Sequence, residues 1–134
     1  MRERLFHGIR KDNGKWVEGC LLGDDVIVPK GQSFNICHNI LDSALTAYEV
    51  IPETVGRYTE LFDKNRKKIF EGDIVTGQFQ SKKISGYIKY GTDGSFYIYR
   101  KGLFGVGLNN ADAWLTIIGN IYDNPELIGE KTND

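Results

Sequence analysis

Val50-Ile-Pro-Glu-Thr-Val-Gly-Arg-Tyr-Thr-Glu-Leu-Phe-Asp-Lys-Asn-Arg-Lys-Lys-Ile-Phe-Glu-Gly-Asp-Ile-Val75 is the stretch whose reading decides the fold. It holds a strand ending before Pro52 and a second from Val55. A polar turn follows around Asp63 to Lys67, then a further strand opened by Glu71-Gly72-Asp73. The same grammar of short strands and single punctuating glycines continues on both sides.

Upstream, Leu5 to Arg10 and Lys15 to Leu22 flank Asp12-Asn13-Gly14. Asn-Gly tolerates positive φ at both centres of a type I′ turn, so this spacing predicts a hairpin. On its second strand Trp16, Glu18 and Cys20 alternate with Val17, Gly19 and Leu21, giving one inward face. Gly23-Asp24-Asp25 signals another turn and Val26 to Pro29 a third strand, hence a β-meander. Residues 30–49 are ambiguous between a helical turn or two and a loop plus strand, and Tyr48 to Ile51 reads as a strand.

Downstream, Lys83 to Tyr90 and Ser95 to Arg100 flank the hairpin turn Gly91-Thr92-Asp93-Gly94. Ala113 to Ile118 and Gly119 to Tyr122 read as strands, and Pro125 opens a short helical turn. The tail from Gly129 reads as frayed.

Sixteen glycines in 134 residues are scattered singly, as tight turns in a short-stranded β protein require. The expected organisation is mainly β with little helix: a meander over 1–51, a small barrel or roll over 52–128, and a tail over 129–134. A formal net charge of −1 supplies no global field for nucleic acid or anionic lipid, so any such binding needs a local patch. No apolar run follows the charged N-terminus, and no window approaches the ~18 apolar residues of a membrane helix. A cytoplasmic chain is therefore expected, with Cys20 and Cys37 reduced.

Three segments resemble the YopX family of phage and prophage proteins. They are Phe6-His-Gly-Ile-Arg-Lys-Asp-Asn-Gly-Lys-Trp-Val-Glu-Gly19, the stretch from Ile51 through Val75, and Ile118-Gly-Asn-Ile-Tyr-Asp-Asn-Pro-Glu-Leu-Ile128. The resemblance implies a C-terminal SH3-type barrel or roll, a phage or prophage origin in a host bacterial cell, and no assigned catalysis. Two departures stand out. The family usually carries Thr-Gly-Leu and Lys-Asn-Gly-Lys, where this chain has Thr59-Glu60-Leu61 and Lys64-Asn65-Arg66-Lys67. Positive φ at Arg66 would cost on the order of 1 kcal/mol, so either the turn changes type or Asn65 alone is left-handed.

Glu71 and Asp73 flank Gly72, and a metal or general acid/base pair is the sharp reading of them. The structural reading outweighs it: Gly72 allows a turn whose backbone amides Asp73 caps. His7, His38, Cys20 and Cys37 are ligand types zinc favours, without zinc spacing. No cofactor, metal or catalytic residue is expected. Lys64, Arg66, Lys67 and Lys68 form one basic loop and Lys82-Lys83 another, with Phe70, Gln78 and Phe79 between them in sequence. Brought to one rim they could hold a nucleic-acid strand, although Glu60, Asp63, Glu71 and Asp73 are interleaved.

Tyr87, Tyr90, Phe96, Tyr97 and Tyr99 crowd one hairpin, and the glycine-rich Leu103-Phe104-Gly105-Val106-Gly107-Leu108 follows. Part of this set must lie outside the core. The leading expectation is therefore a non-enzymatic protein-interaction module that forms a homo-oligomer, with Tyr97, Tyr99, Leu103, Phe104 and Val106 at its interface. A phage or host protein is the other partner considered, and nucleic-acid binding the alternative function.

Overall fold

The computed structural model describes residues 5–22, 26–29 and 48–128, with the backbone alone for 21, 22, 26, 28 and 29. The turn expected at Gly23 to Asp25, the ambiguous stretch 30–47, Cys37, His38 and the tail 129–134 lie outside the described residues. The chain divides into two compact units, Met1–Tyr58 and Thr59–Asp134, with the boundary inside a strand.

In the first unit, β1 (Phe6–Ile9), β2 (Trp16–Leu22), β3 (Val26–Pro29), β4 (Tyr48–Glu49) and the start of β5 (Gly56–Phe62) form the meander. Their neighbour order is β4-β3-β2-β1-β5, with Phe6 opposite Gly19 and again opposite Arg57. The expected two-residue Asn-Gly turn is instead a wider loop. Arg10 N donates to Lys15 O at 2.8 Å and Gly14 N to Arg10 O at 3.0 Å, so four residues separate the closing pair. Gly14 is left-handed and Asn13 is not. The Asn13 side-chain oxygen accepts Lys15 N at 3.0 Å, and the Asp12 carboxylate takes Arg10 in two bonds of 2.9 and 2.7 Å. These local bonds stabilise the longer loop.

Leu5, Ile27, Val50 and Tyr58 are buried in this unit. Pro52 opens a 3₁₀ turn, Pro52–Thr54, where its missing N–H leaves no bond unmade. Thr54 Oγ1 donates to Ile51 O at 2.6 Å and accepts Ile9 N at 2.9 Å, fastening that turn to β1. Cys20 is buried and disulfide-bonded, which corrects the expectation of two reduced thiols; its partner lies outside the described residues. A unit this short has a small core, the setting in which a covalent link adds most.

In the second unit, the end of β5 is followed by β6 (Lys68–Phe70), β7 (Asp73–Phe79), β8 (Lys82–Tyr90), β9 (Phe96–Tyr99), β10 (Val106–Gly107) and β11 (Thr116–Asn120). β10-β9-β8-β7-β11 is a five-stranded antiparallel sheet. Val75 lies opposite Gly86 and Ile88 opposite Ile98, which puts Val75, Ile88 and Ile98 on one face. That face is the core, joined by Ile69, Ile84, Leu108, Ala111 and Leu115. The chain is thus mainly β, and the described helix amounts to single turns.

Ala113 and Trp114, expected to open a strand, instead close a four-residue helical turn, α1 (Ala111–Trp114). Left-handed Asn110 starts it, and Leu115 N closes it on Ala111 O at 2.9 Å. The β7–β8 connection, which carries no turn signal in sequence, is a two-residue loop. Phe79 pairs with Lys82, and Gln80 and Ser81 take φ of 53° and 68°, the type I′ geometry without its usual glycine.

Left-handed φ also falls on Glu60 at 71° and Arg66 at 67°. Asn65, one of the two alternatives for the 64–67 turn, is not left-handed. Arg66 itself adopts the costly conformation. Arg66→Gly therefore relieves that strain, less the extra freedom glycine gains in the unfolded chain. We expect a net gain of about 0.5–1 kcal/mol, seen as a higher urea midpoint at unchanged slope.

Candidate interaction surfaces and their buried carboxylates

Asp63 is completely buried. Its Oδ1 accepts Asn65 N at 2.8 Å and Lys67 N at 2.9 Å, and its Oδ2 accepts Ile117 N at 3.0 Å. Burial pushes its pKa up, but these three N–H groups and the charge of Lys67 outweigh that and hold it below the usual carboxylate range. The same turn is closed by Asp63 N to Lys67 O at 2.9 Å and docked by Lys64 N to Leu115 O at 2.8 Å.

Asp73 is also buried, and its Oδ2 accepts Phe70 N at 2.8 Å. Burial raises its pKa to about 7 against that one hydrogen bond, with the Asp63 charge adding to the rise. Gly72 sits at φ +93°, where a side chain is strained. Its N–H donates to Ile88 O at 2.9 Å and its carbonyl accepts Ile121 N at 3.0 Å, so the Glu71-Gly72-Asp73 turn is held on both sides. Among the described residues no three His, Cys, Asp or Glu side chains are grouped to hold a metal.

The basic residues divide by exposure. Lys64, Arg66, Lys67, Lys82 and Lys83 are exposed, and Lys68 is half-buried. Their two loops flank one segment. The 63–67 turn hangs on Leu115 and Ile117, while at the β7–β8 turn Phe79 stacks on Trp114 with centroids 5.2 Å apart. Trp114 lies over Gly77, where an added Cβ would come within 2.2 Å of its carbonyl oxygen. Sequence reasoning missed Trp114 as a site residue; the signal was Gly77 inside a strand, a mark of close approach.

Tyr97 and Tyr99 are half-buried and lie opposite Lys89 and Tyr87 on the sheet face away from the core. Tyr99 packs on Tyr87 at 5.2 Å and under Lys89 Nζ at 4.5 Å. A Cβ on Gly105 would fall 2.6 Å from the Tyr97 ring, so the β9–β10 loop covers part of it. That loop separates the remaining interface candidates. Leu103 is 63% and Phe104 91% exposed. Val106 packs against the core and Leu108 is buried within it. Leu103 N to Arg100 O at 3.0 Å and Arg100 Nη2 to Phe104 O at 2.7 Å tie the tip to its base.

No helix among the described residues is long and apolar enough to cross a membrane. The family model described as YopX protein matches residues 5–129. The crystal structure of protein EF1440 from Enterococcus faecalis is similar in fold, with a TM-score of 0.55 at 23% identity. That similarity covers 96% of this chain and 99% of the other. No curated protein matches.

Asp63→Asn keeps one oxygen for Asn65 and Lys67 but turns an NH₂ towards the Ile117 N–H. We expect a loss of about 2–3 kcal/mol in urea unfolding. Asp73 and His7 carry opposite pH signs. Asp73 is raised to about 7, so its contribution is fully present below the unfolded value near 3.8 and lost as pH rises through 7. His7, lowered to about 4 by burial, contributes above its unfolded 6.5 and loses that as pH falls towards 4. Asp73→Asn should match the wild type at pH 4 and exceed it at pH 8, by on the order of a few kcal/mol. Trp114 fluorescence in a Trp16→Phe background reads this in the second unit alone.

Proposed function

This chain belongs to the YopX family, and from that footing we propose that it is a non-enzymatic interaction module that self-associates through the β9–β10 loop. The observation that carries the reading is Phe104, 91% exposed at the tip of a loop whose base is hydrogen-bonded in place. An apolar ring held out on a fastened support loses little conformational freedom on docking, which favours contact over continued hydration. Covering it returns roughly 25 cal/mol per Å² of apolar area. Leu103 extends the apolar tip, and the half-buried Tyr97 beneath Gly105 supports the loop from the sheet side.

A second copy of the chain is the economical partner, because a two-fold axis at the tip pairs each Phe104 with its own equivalent. The non-enzymatic part is supported by where the acids go: Asp63 and Asp73 are spent inside the fold on backbone amides. The proposal includes a phage or prophage origin and action in the host bacterial cytoplasm, as the family resemblance implies.

Sedimentation velocity at tens of micromolar tests it. The wild type should run as a stable oligomer, and Phe104→Ser should run as a smaller species with unchanged unfolding. A monomeric wild type would remove self-association and leave the tip to a foreign phage or host protein.

A further inference from the structure

We propose that the end of the second unit formed by the 63–67 turn, the β7–β8 turn and Trp114 binds single-stranded nucleic acid, independently of the β9–β10 loop. The charge balance there differs from the one the linear sequence displays. Of the four acids interleaved with the basic residues, Asp63 and Asp73 are withdrawn into the fold, at 0% and 6% exposure. Asp63 directs its oxygens inward to the Asn65, Lys67 and Ile117 amides, so they are not presented at the surface, and its charge offsets part of that of Lys67. Glu71 is half-buried in the turn fastened to Ile88 and Ile121. Lys64, Arg66, Lys67, Lys82 and Lys83 remain outside, and none forms a salt bridge with a described residue. Glu60 and Asp112 are the exposed acids near them, so cations predominate.

The aromatic component distinguishes a single strand from a duplex. Phe79 is 47% exposed, paired across the hairpin with Lys82 and backed by Trp114. Trp114 is fixed in turn by its Nε1–H on Asn109 O at 2.9 Å and by the Gly77 backbone beneath it. A ring supported from behind and flanked by lysines offers a stacking face beside phosphate partners, the combination that single-strand binders use. Bases in a duplex are already stacked and cannot reach it.

Fluorescence polarisation with labelled oligo(dT) and oligo(U) of about 15 nucleotides, against a duplex of equal length, tests the proposal. At about −0.7 per phosphate contact, the cations allow a slope of log K against log salt as steep as about −3.5. Lys64→Gln with Lys82→Gln should flatten it by about 1.4. Phe79→Ala should weaken single-strand binding by about tenfold without changing the slope, and Phe79→Tyr should restore it. Thermal unfolding of each variant confirms that the fold is retained. Absence of oligonucleotide binding by the wild type at low salt overturns the proposal. Equal affinity for duplex, or Phe79→Ala binding as the wild type does, overturns the stacking role and with it the proposed site.

Discussion

The second unit is organised around one buried charge. An ionised carboxylate inside a protein is tolerable only when it is well supplied with donors, and Asp63 accepts three backbone amides, two from its own turn and one from β11. The arrangement is reciprocal. The amides of Asn65, Lys67 and Ile117 would otherwise lack acceptors in a turn and at a sheet edge, and the carboxylate satisfies all three. Burial pushes the Asp73 carboxyl up to about 7 against its one bond from Phe70 N, and the Asp63 charge adds to the rise. Two buried acids ten residues apart in sequence thus shift in opposite directions.

The same turn and the strand before it hold side chains where glycine is the usual residue. Glu60 and Arg66 both occupy left-handed backbone. Bonds around them hold the conformation against its cost. Thr59 Oγ1 donates to Ile69 O at 2.8 Å and accepts Leu61 N at 3.2 Å, bracketing Glu60, and the Asp63 carboxylate brackets Arg66 through Asn65 and Lys67. Arg66 thus holds a cation at an exposed turn on strained backbone.

Much of the fold was legible because it is written in short-range alternation. Phe6 to Ile9 against Trp16 to Leu22, Lys82 to Tyr90 against Phe96 to Tyr99, and the Glu71-Gly72-Asp73 turn each announce themselves within a dozen residues. What escaped was set by contacts between distant segments or by local chemistry that overrides a turn signal. Ala113 and Trp114 read as the start of the strand that follows, and it is the Asn109 and Asn110 backbone together with packing over Gly77 that puts them in a helical turn. Gln80-Ser81 carries no glycine, so a tight hairpin there is invisible to turn chemistry and follows only from the pairing of β7 with β8. The interface candidates were legible as a set but not as individuals: Leu103 and Phe104 stay out, while Val106 and Leu108, in the same apolar run, go in. A run of sequence cannot say which of its apolar side chains meets the core. The two basic loops and Phe79 could be named from sequence, but Trp114, which backs Phe79, could not, since it comes from a separate place in the chain.

The bond from Ile117 to Asp63 spans 54 residues, and that separation has a consequence for synthesis. Closing so long a loop has an entropic cost that nothing offsets until the distant partner exists. During translation the 63–67 turn emerges well before the strand that completes it, and its carboxylate has only the local Asn65 and Lys67 amides and water to bond. The five-stranded sheet is likewise missing its β11 edge until Thr116–Asn120 has left the ribosome. The N-terminal meander has its described strands available much earlier and can collapse while the rest is still being made. Folding of this chain is therefore staged by its own topology, with the second unit committed only once β11 has emerged.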